Sequence, residues 1–268
     1  MVDRKEQERH FHDHLREELP YQRYSREVED ELKDDPRWRN LKVYSIEKDS
    51  RKYVEDWIRD RCMGKRILDY GCGNGEDAMF AAEHGATAVG IDISDISISN
   101  CRAGAEARSL SDRASFYVMD AEKLEFEDNS FDLVVVYGVL HHLDFAAAMS
   151  EISRVLKSGG QAICTEALAH NPVIHQYRKR TLDLRTPWEV DHIMRKETIF
   201  SAANYFENIE IKFYHLATLL AIPFRRIPGF PALLSLLGMV DSLLLRLPWI
   251  RWQAWQAVFE LSNPIKRT

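Results

Sequence analysis

The sequence predicts a doubly wound α/β domain, a largely parallel sheet with helices on both faces. Three observations carry that expectation. The apolar pair Ile67-Leu68 ends in Asp69 and runs into a turn with glycine at every second position, Gly71, Gly73 and Gly75, before a helix opens at Glu76. Apolar runs of strand length then alternate with stretches of helical periodicity as far as about residue 170. Each of those strands ends in a polar residue or a glycine, and in a doubly wound sheet the carboxyl ends converge on one crevice where ligands bind.

The chain has 268 residues, enough for one large domain or a core with an appendage. A net charge of −6 and a pI near 6.0 argue against nucleic acid as the main partner. The four cysteines, Cys62, Cys72, Cys101 and Cys164, have neither metal-ligand spacing nor the look of a disulfide framework, which fits a reducing, cytoplasmic setting. The first ten residues, M-V-D-R-K-E-Q-E-R-H, are charged and lack an apolar core, so no secretory signal is expected.

Residues 1 to about 60 read as a polar, helical cap. His10 and His14 would share a helix face, which permits metal binding, but no carboxylate–histidine set elsewhere in the sequence completes such a site. No metal is therefore expected, and a solvated helix is the simpler reading. Tyr53, Val54, Trp57 and Ile58 have the spacing of a helix that packs on the first strand. Arg66 to Tyr70 is that strand, and the helix after the glycine turn stops at Gly85.

Ala86 to Ile93 is the second strand, delivering Asp92 about 20 positions beyond the turn. A carboxylate there can accept two hydrogen bonds from ribose hydroxyls. Ser94 and Asp95 cap a helix that runs to about Ala107. Ala114 to Met119 is a third strand ending in Asp120-Ala121, and Phe131 to Tyr137 is apolar throughout, as a central parallel strand buried on both faces must be. Ala146 to Leu156 is helical and is expected to stop at Lys157-Ser158-Gly159-Gly160; Gln161 to Thr165 is strand five and leads to Glu166.

In this order and spacing the residues resemble the class I S-adenosylmethionine-dependent methyltransferases of the small-molecule type. K-R-I-L-D-Y-G-C-G-N-G-E-D is similar to that family's motif I, Asp92 to its second motif, and Y-G-V-L-H-H-L and L-K-S-G-G to its segments after strand four and before strand five. The dinucleotide fingerprint would need glycine at position 76, where Glu76 stands and would repel a pyrophosphate. The resemblance implies a Rossmann-like, seven-stranded mixed sheet whose last two strands come from residues after 200. It also implies S-adenosyl-L-methionine as cofactor, with Asp69, Gly71, Cys72 and Gly73 at the turn. Asp92 and Ile93 would lie at the ribose, Asp120 and Ala121 at the adenine, and Tyr137 and Gly138 after strand four. F-H-D near the start looks like the cap of such enzymes, making His12, Tyr21 and Tyr24 candidates for lining the site.

The cofactor's methyl group is already activated, so the protein's main task is to align an acceptor, with a general base only where the acceptor is protonated. His141 and His142 follow strand four and could orient a ligand, act as base or pack as core histidines; Glu166, His170 and Asn171 follow strand five. Glu166 could bind a cationic acceptor, orient a hydroxyl, or serve as a cap or salt-bridge partner. His141, His142 and Glu166 are the catalytic candidates. H-N-P-V-I follows strand five, not strand four, and so differs from the N-P-P-Y signature of amide methylation. Arg178, Lys179, Arg180 and Arg185 could bind an anion or simply face solvent.

Asn208 to Tyr214 alternates as a sixth strand. Beyond it, His215 to Phe224 and Ile227 to Val240 are apolar but too short to span a bilayer. The leucines of 233–247 exceed what one packed helix face needs, so a partner is expected: a membrane interface, favoured by the flanking arginines and Trp249, Trp252 and Trp255, another subunit, or an apolar substrate. Trp255 to Leu261 suits either a seventh strand or a helix. The expected organisation is a helical cap (1–60), a cofactor-binding core (61–214) and an apolar appendage (215–268) that could contribute the last strand. The expected activity is methyl transfer to a small, hydrophobic or lipid-like molecule. Cyclisation or other chemistry with the cofactor as spectator, and a membrane-associated binding protein with a vestigial site, are the alternatives.

Overall fold

The computed structural model describes residues 4–17, 25–35 and 38–266. Tyr21 and Tyr24 lie outside the described residues. Seven strands form one sheet: β1 (Arg66–Tyr70), β2 (Thr87–Asp92), β3 (Ala114–Val118), β4 (Phe131–Tyr137), β5 (Leu156–Ala167), β6 (Phe206–Tyr214) and β7 (Gln256–Pro264). Their order is β3-β2-β1-β4-β5-β7-β6. The first five are parallel, and β7 runs antiparallel to both β5 and β6. The order reverses between β1 and β4, which puts the glycine turn and the end of β4 on either side of the switch point. This is the seven-stranded, doubly wound fold that the sequence predicts.

Alternate residues of the central strands face opposite layers. Ile67, Leu133, Val135 and Ile163 pack on α3 (Lys48–Arg61), α4 (Glu76–Glu83) and α5 (Asp95–Ala107), through Trp57, Ile58, Met79, Ala82, Ile98 and Cys101. Leu68, Val134, Val136 and Cys164 pack on the other side against Met149, Ile152 and Val155 of α6 (Phe145–Val155). Both faces of β4 are therefore dry, which is why its sequence is apolar without alternation. Side-chain oxygens start the helices on both faces: Ser94 Oγ accepts from Ser97 N–H on α5 and Asp144 Oδ1 from Ala147 N–H on α6.

One local expectation is corrected and one ambiguity is resolved. Strand five begins at Leu156, which pairs with Phe131, so the Lys157–Gly160 stretch read as a stop is part of an irregular strand. Gly159, at φ 76°, takes up the register shift there. The Trp255–Leu261 ambiguity resolves as strand, because Gln256 to Ser262 fills the gap between β5 and β6. The appendage therefore supplies a strand inside the core sheet. Its remainder is a 3-10 segment (Ala217–Phe224) and the α-helix Phe230–Leu244; α1 (Arg4–Arg16) and α2 (Arg26–Leu32) precede the core, and α7 (Pro172–Lys179), α8 (Pro187–His192) and α9 (Lys196–Ser201) follow β5, so the last helix is α10. Among the described residues no helix is long and apolar enough to cross a membrane.

Gly71 sits at φ 71°, and a Cβ placed on it would come within 2.5 Å of Val139 Cγ2 in the loop after β4. Gly71→Ala should destabilise the fold by about 2–3 kcal/mol, combining left-handed backbone strain with overpacking. Urea denaturation checks this; an unchanged midpoint would show that the two loops do not meet so closely.

Candidate active site

The glycine turn is held from beneath and from its open side. Cys72 N–H donates to Ile91 O (2.7 Å), and Gly73 N–H donates to Asp92 Oδ2 (2.9 Å). Asp92 Oδ1 accepts from Ser94 N–H (3.0 Å), so one carboxylate ties the end of β2 to both the turn and α5. Each of its oxygens keeps a further lone pair. Asp69 is buried and accepts from Ala78 N–H of α4 (2.9 Å); burial, with Asp77 nearby, pushes its carboxyl well above the usual range. The Cys72 thiol is also buried, 3.9 Å from Cys101 Sγ, and its carbonyl accepts from Gly75 N–H (2.8 Å), which closes the turn. Asn74 in the same turn is buried, and neither of its amide atoms has a partner among the described residues.

At the edge beyond β2 and β3, a cleft of about 340 Å³ is bounded by Ile93, Val118, Met119 and Asp120 on the sheet side and by Lys5, Glu6 and Arg9 of α1 on the other. Asp120 Oδ1 accepts from Glu122 N–H (2.9 Å), while Lys5 Nζ donates to Oδ2 (2.5 Å). The carboxylate expected to read the adenine is thus shared with the cap helix. Ala121 is buried, with its carbonyl accepting from the Tyr70 hydroxyl.

After β4, Gly138 is at φ 64° with open space where a Cβ would stand, and the chain then turns through a short 3-10 helix, Leu140–His142. Glu166, 1% exposed at the end of β5, fixes that loop. Its Oε1 accepts from Leu140 N–H (2.7 Å), and its Oε2 lies 2.6 Å from His141 Nδ1. Glu166 is therefore no open-crevice binder of a cationic acceptor; both oxygens are engaged in orienting the loop and the His141 ring. Burial opposes the charge on His141, yet the Glu166 carboxylate outweighs it and the imidazole titrates above its ordinary 6.5. His142 turns the other way, its Nδ1 2.9 Å from Glu8 Oε2 of α1. His12 joins the same group, its ring 4.9 Å from that of His142, and burial and His142 push it well below 6.5.

Several residues invisible to the sequence reading converge on the end of β4. Tyr137 donates through its hydroxyl to Glu47 Oε1 (2.6 Å), which also accepts from the Gln256 side chain of β7. Burial pushes the Glu47 carboxyl up to about 7. Arg51 lies 4.7 Å from the Tyr137 ring and forms a two-pronged pair with Asp77. Ser50 bridges Gln256 and His215 (3.1 and 2.8 Å). The 41–61 segment betrays none of this, because its partners lie 26 to 209 positions away. Of the four basic candidates after β5, Arg178 is buried and donates to Leu168 O, and Arg185 pairs with Glu189, so neither offers a free anion site. Asn171 caps α7, and His170 packs by Trp252 (5.6 Å between rings).

Residues 68–164 match the family model described as Methyltransferase domain. The 27-O-demethylrifamycin SV methyltransferase of Amycolatopsis mediterranei is 37% identical over 100 residues, 37% of each chain. The sterol 24-C-methyltransferase ERG6B of Gibberella zeae is 37% identical over 99 residues, 36% of this chain and 26% of that one. The match thus spans well under half the length of these relatives. Among solved structures, a geranyl diphosphate methyltransferase in complex with geranyl diphosphate and sinefungin covers 97% of this chain and 100% of its own, with TM-score 0.65 and 14% identity. The [4+2]-cyclase SpnF covers 80% of this chain and 82% of its own, with TM-score 0.53 and 23% identity. The cofactor of this domain is S-adenosyl-L-methionine. The residues fit it: carboxylates at the ends of β1, β2 and β3 (Asp69, Asp92 and Asp120), an unpartnered Asn74 amide at the turn and an open Gly138.

Glu47 makes stability depend on pH. The folded state holds its proton more tightly than the unfolded chain, whose Glu titrates at 4.5, so stability present below that value is lost as pH rises through about 7. Glu47→Gln, which keeps an acceptor for Tyr137 and Gln256, should remove up to about 3 kcal/mol of the loss between pH 5 and pH 8. Denaturation midpoints at both pH values test it; identical pH profiles in the two proteins would rule it out.

Proposed function

From its membership of the class I S-adenosylmethionine-dependent methyltransferases, we propose that this chain transfers a methyl group to a small, hydrophobic or lipid-like acceptor held at the carboxyl ends of β4 and β5. The observation that carries the acceptor class is the apolar layer over those ends. Ile46, Ala221, Phe230 and Trp255 pack with Ala167 at the last position of β5, and Leu233, Leu234 and Leu237 of α10 lie against them. Glu47, directly after Ile46, and Tyr137, the last residue of β4, bring polar groups to the same region. Relatives named for rifamycin, sterol and geranyl diphosphate chemistry support an apolar acceptor.

The cofactor supplies a methyl group already activated by its sulfonium. In this reading Asp92 binds the ribose hydroxyls with its spare lone pairs, and Ile93 flanks the base. Asp120 and the Ala121 amide read the adenine once Lys5 shares or releases the carboxylate. Gly71, Cys72, Gly73 and Gly138 let backbone approach the methionine end, with Asp69 holding α4 and Tyr137 beside it. His141 is the candidate base, with Glu166 holding its Nδ1 and orienting the ring. His142 is turned toward the cap. The division into cap (1–60), core (61–214) and appendage (215–268) belongs to the same proposal, with β7 of the appendage as the last strand of the core sheet.

The appendage also suggests peripheral contact with a membrane, in a cytoplasmic setting at its inner face. Leu236, Met239, Val240, Leu243 and Leu247 form an exposed stripe along and just past α10, and Trp249 is 81% exposed. Trp252 and Trp255, counted as interfacial in the sequence reading, are buried and take no part. An apolar helix face flanked by an exposed tryptophan is suited to the headgroup boundary.

Asp92→Ala should weaken S-adenosylmethionine binding about 10- to 100-fold, the worth of hydrogen bonds to a charged group. Calorimetry on both proteins checks this; equal heats would sink the cofactor placement. Release of S-adenosylhomocysteine with an apolar acceptor supports transfer, whereas acceptor conversion without it would mean the cofactor is a spectator. Vesicles containing anionic lipid should sediment the protein, and Leu236→Glu with Leu243→Glu should abolish this. A wild-type protein that never sediments with vesicles would overturn the membrane contact.

A further inference from the structure

We propose that Glu8 and His12 of α1, with His142 of the loop after β4, form a binding site for a divalent first-row transition metal, Zn2+ fitting best, that tethers the cap helix to the core. Neither the family match nor the relatives' names assign such a site, and it stands apart from the methyl-transfer reading.

The geometry is that of a three-point ligand set. Glu8 and His12 are four residues apart and so share one face of α1. Glu8 Oε2 lies 2.9 Å from His142 Nδ1 and 3.8 Å from His12 Nε2, and the three donor atoms all fall within 4.8 Å of one another. A tetrahedral Zn2+ with bonds near 2.0–2.1 Å needs neighbouring donors about 3.3 Å apart. The observed separations straddle that value, so small side-chain adjustments close the set. One carboxylate and two imidazoles are the ligand set of a Zn2+ site that keeps a fourth position for water or an oxygen ligand, and they are ill-suited to Mg2+, which prefers oxygen throughout.

The surroundings are arranged as metal sites require. The non-ligating oxygen of Glu8 accepts a hydrogen bond from Thr186 Oγ1 (2.5 Å), which aims Oε2 at the histidines. Glu8 and His142 are buried. A second candidate set, His141, His142 and Glu189, shares His142. It is less suited, because Arg185 already pairs with Glu189 and Glu166 engages His141. Among the described residues no lysine or arginine is paired with Glu8; its partners are the two histidines and the Thr186 hydroxyl. A buried carboxylate is costly without a cation. With a metal bound, the polar cap would gain a tether that its ion pairs alone do not give.

The test uses the whole protein, free of affinity tag and stripped with chelator, titrated with Co2+ followed by visible absorption and with Zn2+ by competition. The expected result is one ion per chain in a tetrahedral spectrum. Glu8→Gln and His12→Ala should abolish saturable binding, and Thr186→Val should weaken it about 10- to 100-fold. His10→Ala, on the same helix but exposed and outside the set, should bind as wild type. Absence of saturable binding to the wild-type protein, or binding that persists in Glu8→Gln and His12→Ala, overturns the proposal. Circular dichroism of each variant separates loss of the site from loss of the fold, and no step of the test needs S-adenosylmethionine.

Discussion

The crevice depends on a single buried carboxylate. Glu166 ends β5 with both oxygens engaged, one on Leu140 N–H and one on His141 Nδ1. A charge taken out of water costs several kcal/mol unless it is fully paired, so the loop after β4 is held in the one arrangement that satisfies it. From that loop the rest follows. Val139 is pressed against Gly71, which leaves no room for a side chain at the first turn glycine. His141 is oriented by Glu166, and His142, whose ring lies 4.3 Å from that of His141, places its Nδ1 against Glu8 of α1. One strand end thus sets the glycine turn, the candidate base and the docking point of the cap.

The antiparallel β7 has a corresponding part on the other flank. By inserting between β5 and β6 it brings Gln256 level with Ala167 and Tyr214, beside the end of β5. Gln256 then shares Glu47 with Tyr137, so a residue ahead of the core, a strand end within it and the last strand meet on one carboxylate. A chain ending before β7 would leave this group unsatisfied as well as exposing β5 and β6. The apolar layer of Ile46, Ala221, Phe230 and Trp255 is fixed by the same insertion, because α10 and the 3-10 segment lie in the connection from β6 to β7. Asp241, buried on α10, anchors that connection by accepting from the amides of Leu216, Ala217 and Thr218.

What was legible in the sequence were the features that local chemistry dictates. Alternate glycines after an apolar run, Asp92 at the right distance and the unbroken apolar Phe131–Tyr137 stretch each report on their own backbone, and the sheet follows from them. The function of a side chain facing a distant partner leaves no such trace. Glu166 reads as an exposed acceptor-side acid until His141 is found beside it. Glu47 looks like one more charge in a polar helical region, although its partners are 90 and 209 positions away. The tryptophans illustrate the same limit: Trp249, Trp252 and Trp255 are equivalent in composition, but Trp249 alone is left in solvent once β7 pairs. For His12 the four-residue spacing from Glu8 is present in the sequence, but His142, 134 positions from Glu8, joins them only in the fold.

The cap helix is where stability and function pull in opposite directions. Of α1 only Glu8 is buried, and the helix is held by polar contacts: Lys5 on Asp120 and Glu122, Asp13 on Ser94, Arg16 on Ser97 and Glu8 on His142. Partly exposed ion pairs of this kind contribute about 0–1 kcal/mol each and weaken with salt. Apolar burial, which holds the core helices α3 to α6, is nearly absent here. A helix so attached has little apolar burial to oppose its opening, and it carries Lys5 over Asp120 at the edge of the cleft. Among the described residues, the Glu8 contact with His142 is the attachment of α1 that is both buried and directional. That is why a ligand bridging Glu8, His12 and His142 would change the balance between open and closed more than any other contact α1 makes.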